Sequence, residues 1–160
     1  MSKKIKAQVS EGYQIRHKGV FNLEKLYQTM HAWLDENGYD FLEADHQHKK
    51  IDIGDEIGLI WKAEREITDF MKYDMVIKFR FKELHPASDN LVSGTSKITF
   101  TASVVLDYRE QWSSSRIKNL LFRLYTNVLI KENITKNKLK LLEEVKDLQK
   151  TAKEVLEFFR

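Results

Sequence analysis

Polar and apolar residues recur along this chain with two different periods, and the switches between them divide it into elements. From Tyr13 the period is two: Tyr13, Ile15 and His17 fall on one side and Gln14, Arg16 and Lys18 on the other, which predicts a half-buried strand ending near Gly19. At Asn22 the period lengthens. Leu23, Leu26, Tyr27, Met30, Trp33 and Leu34 form one helical face, with Asn22 as N-cap, Phe21 and Leu26 placed as a hydrophobic staple, and Gly38 as the stop.

Period two then returns. Tyr39 to Lys49 reads as a strand with Leu42, Ala44, His46 and His48 on one side. Three further strands follow. Ile57, Leu59, Trp61, Ala63 and Ile67 face inward in the first, and Tyr73, Met75, Ile77, Phe79 and Phe81 in the second. Ile98, Phe100, Ala102, Val104, Leu106 and Tyr108 do so in the third.

Ser113, Ser114 and Ser115 offer caps for a helix through Ile117, Leu120, Leu121, Leu124, Tyr125 and Val128. A heptad seam follows through Leu141, Val145, Leu148, Ala152, Val155 and Phe159, with Glu144 as the charged residue at a flanking position. Lys131 to Lys140 is mostly polar, so one long helix and two helices meeting there both fit.

The predicted class is α+β, an antiparallel sheet of about four to five strands covered on one face by helices and ending in a long helix or helix pair. The order of elements resembles the helix-grip, START-like arrangement, in which a curved antiparallel sheet wraps a long C-terminal helix around a cavity, although the chain has fewer strands. The sequence divides into a flexible basic tail over 1–10 (or a short strand through Ile5, Ala7 and Val9), an α+β domain over 11–131, and a helical extension over 132–160.

Composition narrows the chemistry. The chain has 160 residues, enough for one domain with a sizeable core, and no cysteine, so disulfides, thiolate zinc sites and cysteine nucleophiles are excluded. No run approaches the ~20 consecutive apolar residues of a membrane span, and the basic N-terminus has no apolar signal core, which together read as cytoplasmic. The net charge of +3 is uneven: Ser113 to Arg160 carries 11 basic against 6 acidic residues (+5), the remainder 16 against 18 (−2).

Nucleotide-binding glycine patterns, G-x-S-x-G and HExxH are all missing, so no catalytic residue, cofactor or metal site is assigned. His46 and His48 stand two apart on a strand without a third ligand fixed by spacing, and read as an exposed hairpin end.

Arg65 and His17 are polar residues in phase with the buried face. A buried guanidinium needs an internal carboxylate or a bound anion, unless a shifted register lets it reach solvent. Trp61, Tyr73, Phe79, Phe100 and Tyr108 would line an apolar pocket beside Arg65, or else fill a core.

Three functions fit, in descending order. The first is a non-enzymatic module that forms homo-oligomers or docks a partner protein through Leu141, Val145, Leu148, Ala152, Val155 and Phe159. The second is a carrier of a small apolar or amphipathic ligand held by Arg65, His17 and the aromatic residues. Nucleic acid ranks last, unless Lys136, Lys138 and Lys140 serve as a phosphate clamp: Lys78, Arg80 and Lys82 face outward, but the aromatics on which bases would stack face inward.

Overall fold

The computed structural model describes residues 5–106, 116, 120, 124 and 131–158. Its elements in chain order are β1 (Ile5–Phe21), α1 (Leu23–Glu36), β2 (Asp40–Ile51), β3 (Gly54–Glu66), β4 (Met71–Pro86), β5 (Val92–Leu106) and α2 (Lys131–Leu156). The five strands form one antiparallel sheet in the order β1-β5-β4-β3-β2. The α+β class follows directly.

That order places β1 and β2, joined only by α1, at opposite edges. Four strand spacings of ~4.8 Å make about 19 Å, and a helix of 14 residues rising ~1.5 Å each runs about 21 Å. So α1 is long enough to carry the chain across the sheet. Asn22 caps it by accepting from the Lys25 N–H (3.0 Å), and the chain leaves through Gly38 at φ +79°, a conformation that glycine adopts without a Cβ penalty.

Alternation in β3, β4 and β5 is as the pattern predicts. Leu59, Trp61, Ala63, Tyr73, Met75, Ile77, Phe79, Phe81, Ile98, Phe100, Ala102 and Val104 are buried on the face that α1 and α2 cover. On the opposite, outer face Lys78, Arg80 and Lys82 are exposed. β1 begins earlier than the period-two signal, because Ile5 to Gln8 pair with Leu106 to Ser103 and two register shifts between Gln8 and Tyr13 interrupt the alternation. Of the two readings of residues 1–10, the structure has the strand, from Ile5 onward, and not the flexible tail.

α2 packs against β1, β5 and α1. Leu141, Val145, Leu148, Ala152, Val155 and Leu156 are all buried in the same core cluster as the sheet. The helix read as an extension over 132–160 is thus a layer of the domain itself. Phe159 and Tyr108 lie outside the described residues. Among the described residues no helix is long and apolar enough to cross a membrane.

Candidate functional site

Arg65 lies at the end of β3, in phase with the inner face, and its guanidinium meets an internal carboxylate. Glu144 on α2 takes two hydrogen bonds from it, at 2.8 and 3.1 Å, and the Asn37 carbonyl takes a third at 2.6 Å. The rings of Tyr39 and Tyr73 lie 4.8 and 5.1 Å from the guanidinium carbon. Both ion-pair side chains are mostly withdrawn from solvent, at 18% and 16% exposure. Tyr39 also donates to Glu144 (3.2 Å), Tyr73 to Asn137 (2.5 Å), and Trp33 to Asp147 (2.8 Å). Since Glu144, Asn137 and Asp147 all belong to α2, this cluster is a polar latch holding that helix. The charged position flanking the seam is used within the chain.

Burial raises the pKa of the Tyr39 phenol well above its usual value, and the charge of Glu144 adds to this while Arg65 opposes it. Burial followed by Glu43 raises Tyr27, and burial followed by Glu144 raises Tyr73. Phenols with raised native pKa keep protons that the unfolded chain gives up, so their contribution to stability is complete below pH ~10 and declines above it. Each should approach a loss of about 1.4 kcal/mol per pH unit there. Tyrosine absorbance at 295 nm is therefore expected to rise together with unfolding in an alkaline titration; a rise completed while the fold persists would refute the assignment.

The aromatic residues proposed as a pocket lining pack on one another. Trp61 lies 4.6 Å from Phe79 and 4.7 Å from Phe41, ring to ring, while Tyr73 and Phe100 have no exposed surface. These side chains fill the space in which a ligand would sit. His17 is half-buried near Phe21 (5.9 Å) and pairs with Ser96, whereas Arg65 pairs with Tyr73, opposite Val104. Eight positions of β5 separate those rows, about 26 Å at ~3.3 Å per residue, so His17 and Arg65 do not share a site.

The outer face brings together a different set. Arg16 on β1 sits opposite Lys97 on β5, which sits opposite Arg80 on β4. In the adjacent row Lys18, Thr95 and Lys82 are aligned in the same way, and Lys78 follows opposite Thr99. Like charges directly opposite one another cost stability. Among the described residues, Glu56 is the carboxylate within ion-pair reach of this group, 3.8 Å from Arg80 and 4.0 Å from Lys82. Arg16 donates to Gln14 (3.2 Å), and no described carboxylate reaches Arg16, Lys18 or Lys97.

A recess of about 530 Å³ on this side is lined by Arg16, His17, Lys18, Arg80, Lys82, Thr95, Ser96 and Lys97. A smaller one of about 70 Å³, lined by Gln47, Lys49, Glu56, Ile57, Gly58 and Arg80, shares Arg80 with it. The other end of the same face is balanced instead: Lys72 reaches Glu64 at 2.7 Å and Lys6 reaches Asp74 at 4.0 Å. Among the described residues the outer face is therefore electrostatically lopsided, with excess positive charge at one end.

His46 lies 3.9 Å from Glu43 and His48 3.1 Å from Asp55, and among the described residues no three His, Asp or Glu side chains cluster as metal ligands do. Comparison of the chain with protein-family models, curated proteins and solved structures finds no significant match.

Proposed function

We propose that this protein is a non-catalytic binding module whose working surface is the outer face of the sheet at its β1–β5–β4 end, and that its ligand is an anionic polymer. The observation that carries this reading is the row Arg16–Lys97–Arg80, three cations opposite one another with a single described carboxylate nearby. Mutual repulsion makes this arrangement costly in the free protein, and a polyanion would relieve it. The far end of the same face is balanced by ion pairs on the same strands, so strand geometry alone does not account for the imbalance.

The other two readings have less support. The heptad seam is occupied by the chain's own sheet and α1, so self-association through it requires α2 to leave the core. Arg65 is occupied by Glu144, and the aromatic residues beside it are packing.

The test is charge reversal. Arg16→Glu, Lys97→Glu and Arg80→Glu together should weaken binding of labelled inorganic polyphosphate at least 100-fold in low salt, with the circular dichroism spectrum unchanged. Reversal of Lys136 and Lys140 on exposed positions of α2 should cost less than threefold. Equal losses from both variants would mean that binding follows net charge, and would remove the site.

A further inference from the structure

We infer, resting on that reading, that the anionic polymer is a nucleic acid laid across the strands, from β1 over the hollow at Gly58 to β2, and held by its phosphates rather than its bases. The shape of the surface favours this. Arg80 lines both recesses, and their linings together extend from Arg16 and Lys18 on β1 to Gln47 and Lys49 on β2. Across five strands that is about 19 Å. A track of this form accepts a narrow polymer backbone, whereas a flat bilayer surface cannot enter it.

Gly58 leaves open space in the smaller recess. It lies opposite Arg80 on one side and Gln47 on the other, and a Cβ built there meets nothing within 4 Å. The backbone does not need glycine at this position, since its φ is not in the left-handed region. What the missing side chain provides is open space beside Arg80.

The side chains select the group bound. Arg16 and Arg80 present forked donors that match phosphate oxygens, Lys18, Lys82 and Lys97 supply charge, and Thr95 adds a hydroxyl between the rows. The outward positions here hold Arg, Lys, Thr, Gln, Gly and one Glu, while Phe79, Phe81 and Phe100 are buried on the other face. Among the described residues His17 is the one ring lining either recess, so recognition falls mainly to the backbone, with little sequence preference. Glu56 is the opposing charge in the track, 3.8 Å from Arg80.

The experiment is fluorescence anisotropy with labelled 20-nucleotide DNA and RNA, single-stranded and duplex, alongside tripolyphosphate, polyglutamate and phosphatidylserine vesicles. Nucleic acid should bind without dependence on base sequence. Neutralising about five phosphates should give a slope of log K against log salt of about −3.5 for single strands and −4.5 for duplex.

Gly58→Trp should weaken nucleic acid at least tenfold and leave tripolyphosphate, which fits the larger recess alone, unchanged. Lys49→Glu, an exposed change at the far end of the track, should act in the same direction by about threefold, and Glu56→Gln should strengthen binding severalfold. If tripolyphosphate, polyglutamate or vesicles bind while nucleic acid does not, or if Gly58→Trp and Lys49→Glu leave nucleic acid binding intact, this inference fails and the polyanion reading stands. If none of the anions binds, both fail.

Discussion

A chain ending at Asn133 is expected not to fold. The cut removes Leu141, Val145, Leu148, Ala152, Val155 and Leu156, all buried in the core shared with the sheet. At ~1.5–3 kcal/mol for a large side chain fully withdrawn from water, the five other than Ala152 represent on the order of 10 kcal/mol. A domain of this size has a net stability of about 5–15 kcal/mol in total. The loss also uncovers the part of the inner face beneath α2, and it removes the carboxylate from Arg65 and the acceptors from Tyr73 and Trp33.

Urea unfolding followed by tryptophan fluorescence should accordingly show no cooperative transition in the shortened chain. This separates two uses of the heptad seam. If α2 served only to join copies of the protein, the shortened chain would be a folded monomer with an unchanged transition. That outcome would return the seam to assembly.

The seam illustrates what periodicity encodes and what it leaves open. Steps of four and three at Leu141, Val145, Leu148, Ala152 and Val155 specify a helix with one apolar stripe. They do not specify whose surface covers it. Leu142 and Leu156 beside the seam widen the stripe beyond a two-stranded coil, and Leu156 is buried with it. The inner face was legible for the same reason: alternation at Tyr73, Met75, Ile77, Phe79 and Phe81 is strong enough to assign each side chain to a layer. The order of the strands was not, because β1 could join either edge until α1 is known to cross the sheet.

Strand order is also why the basic track was hidden. Lys78, Arg80 and Lys82 are visible as outward residues of one strand, and Arg16 and Lys18 as outward residues of another, far earlier in the chain. Nothing in the linear pattern says that Lys97 lies between them. Summed along the chain, residues 1–112 carry a balance of −2, which conceals a surface where Arg16, Lys18, Lys78, Arg80, Lys82 and Lys97 face one described carboxylate, Glu56. Arg65 was half legible. Its phase predicted an inward guanidinium and hence a partner, but Glu144 lies 79 positions away on α2, beyond the reach of any local pattern.

Removing that partner is the second large effect. Glu144→Ala should cost about 3 kcal/mol, because it leaves a mostly buried guanidinium between Tyr39 and Tyr73 with the Asn37 carbonyl as its remaining acceptor. Exposure of 18% and 16% in the two side chains admits some water, which keeps the figure at the low end of the range for buried pairs. Arg65→Ala should cost somewhat less, since Glu144 retains the Tyr39 hydroxyl. The double variant should lose less than the sum of the two, by about 1–2 kcal/mol, whereas independent sites add to within ~0.5 kcal/mol. Chemical denaturation of the four proteins measures this coupling directly, and additive losses would show that the ion pair contributes nothing as a pair. The same variants should bind polyphosphate as the parent does, because the latch lies on the inner face and the basic track on the outer one. A loss of polyphosphate binding in folded Arg65→Ala would instead make Arg65 part of the anion site, and the outer face would no longer account for binding alone.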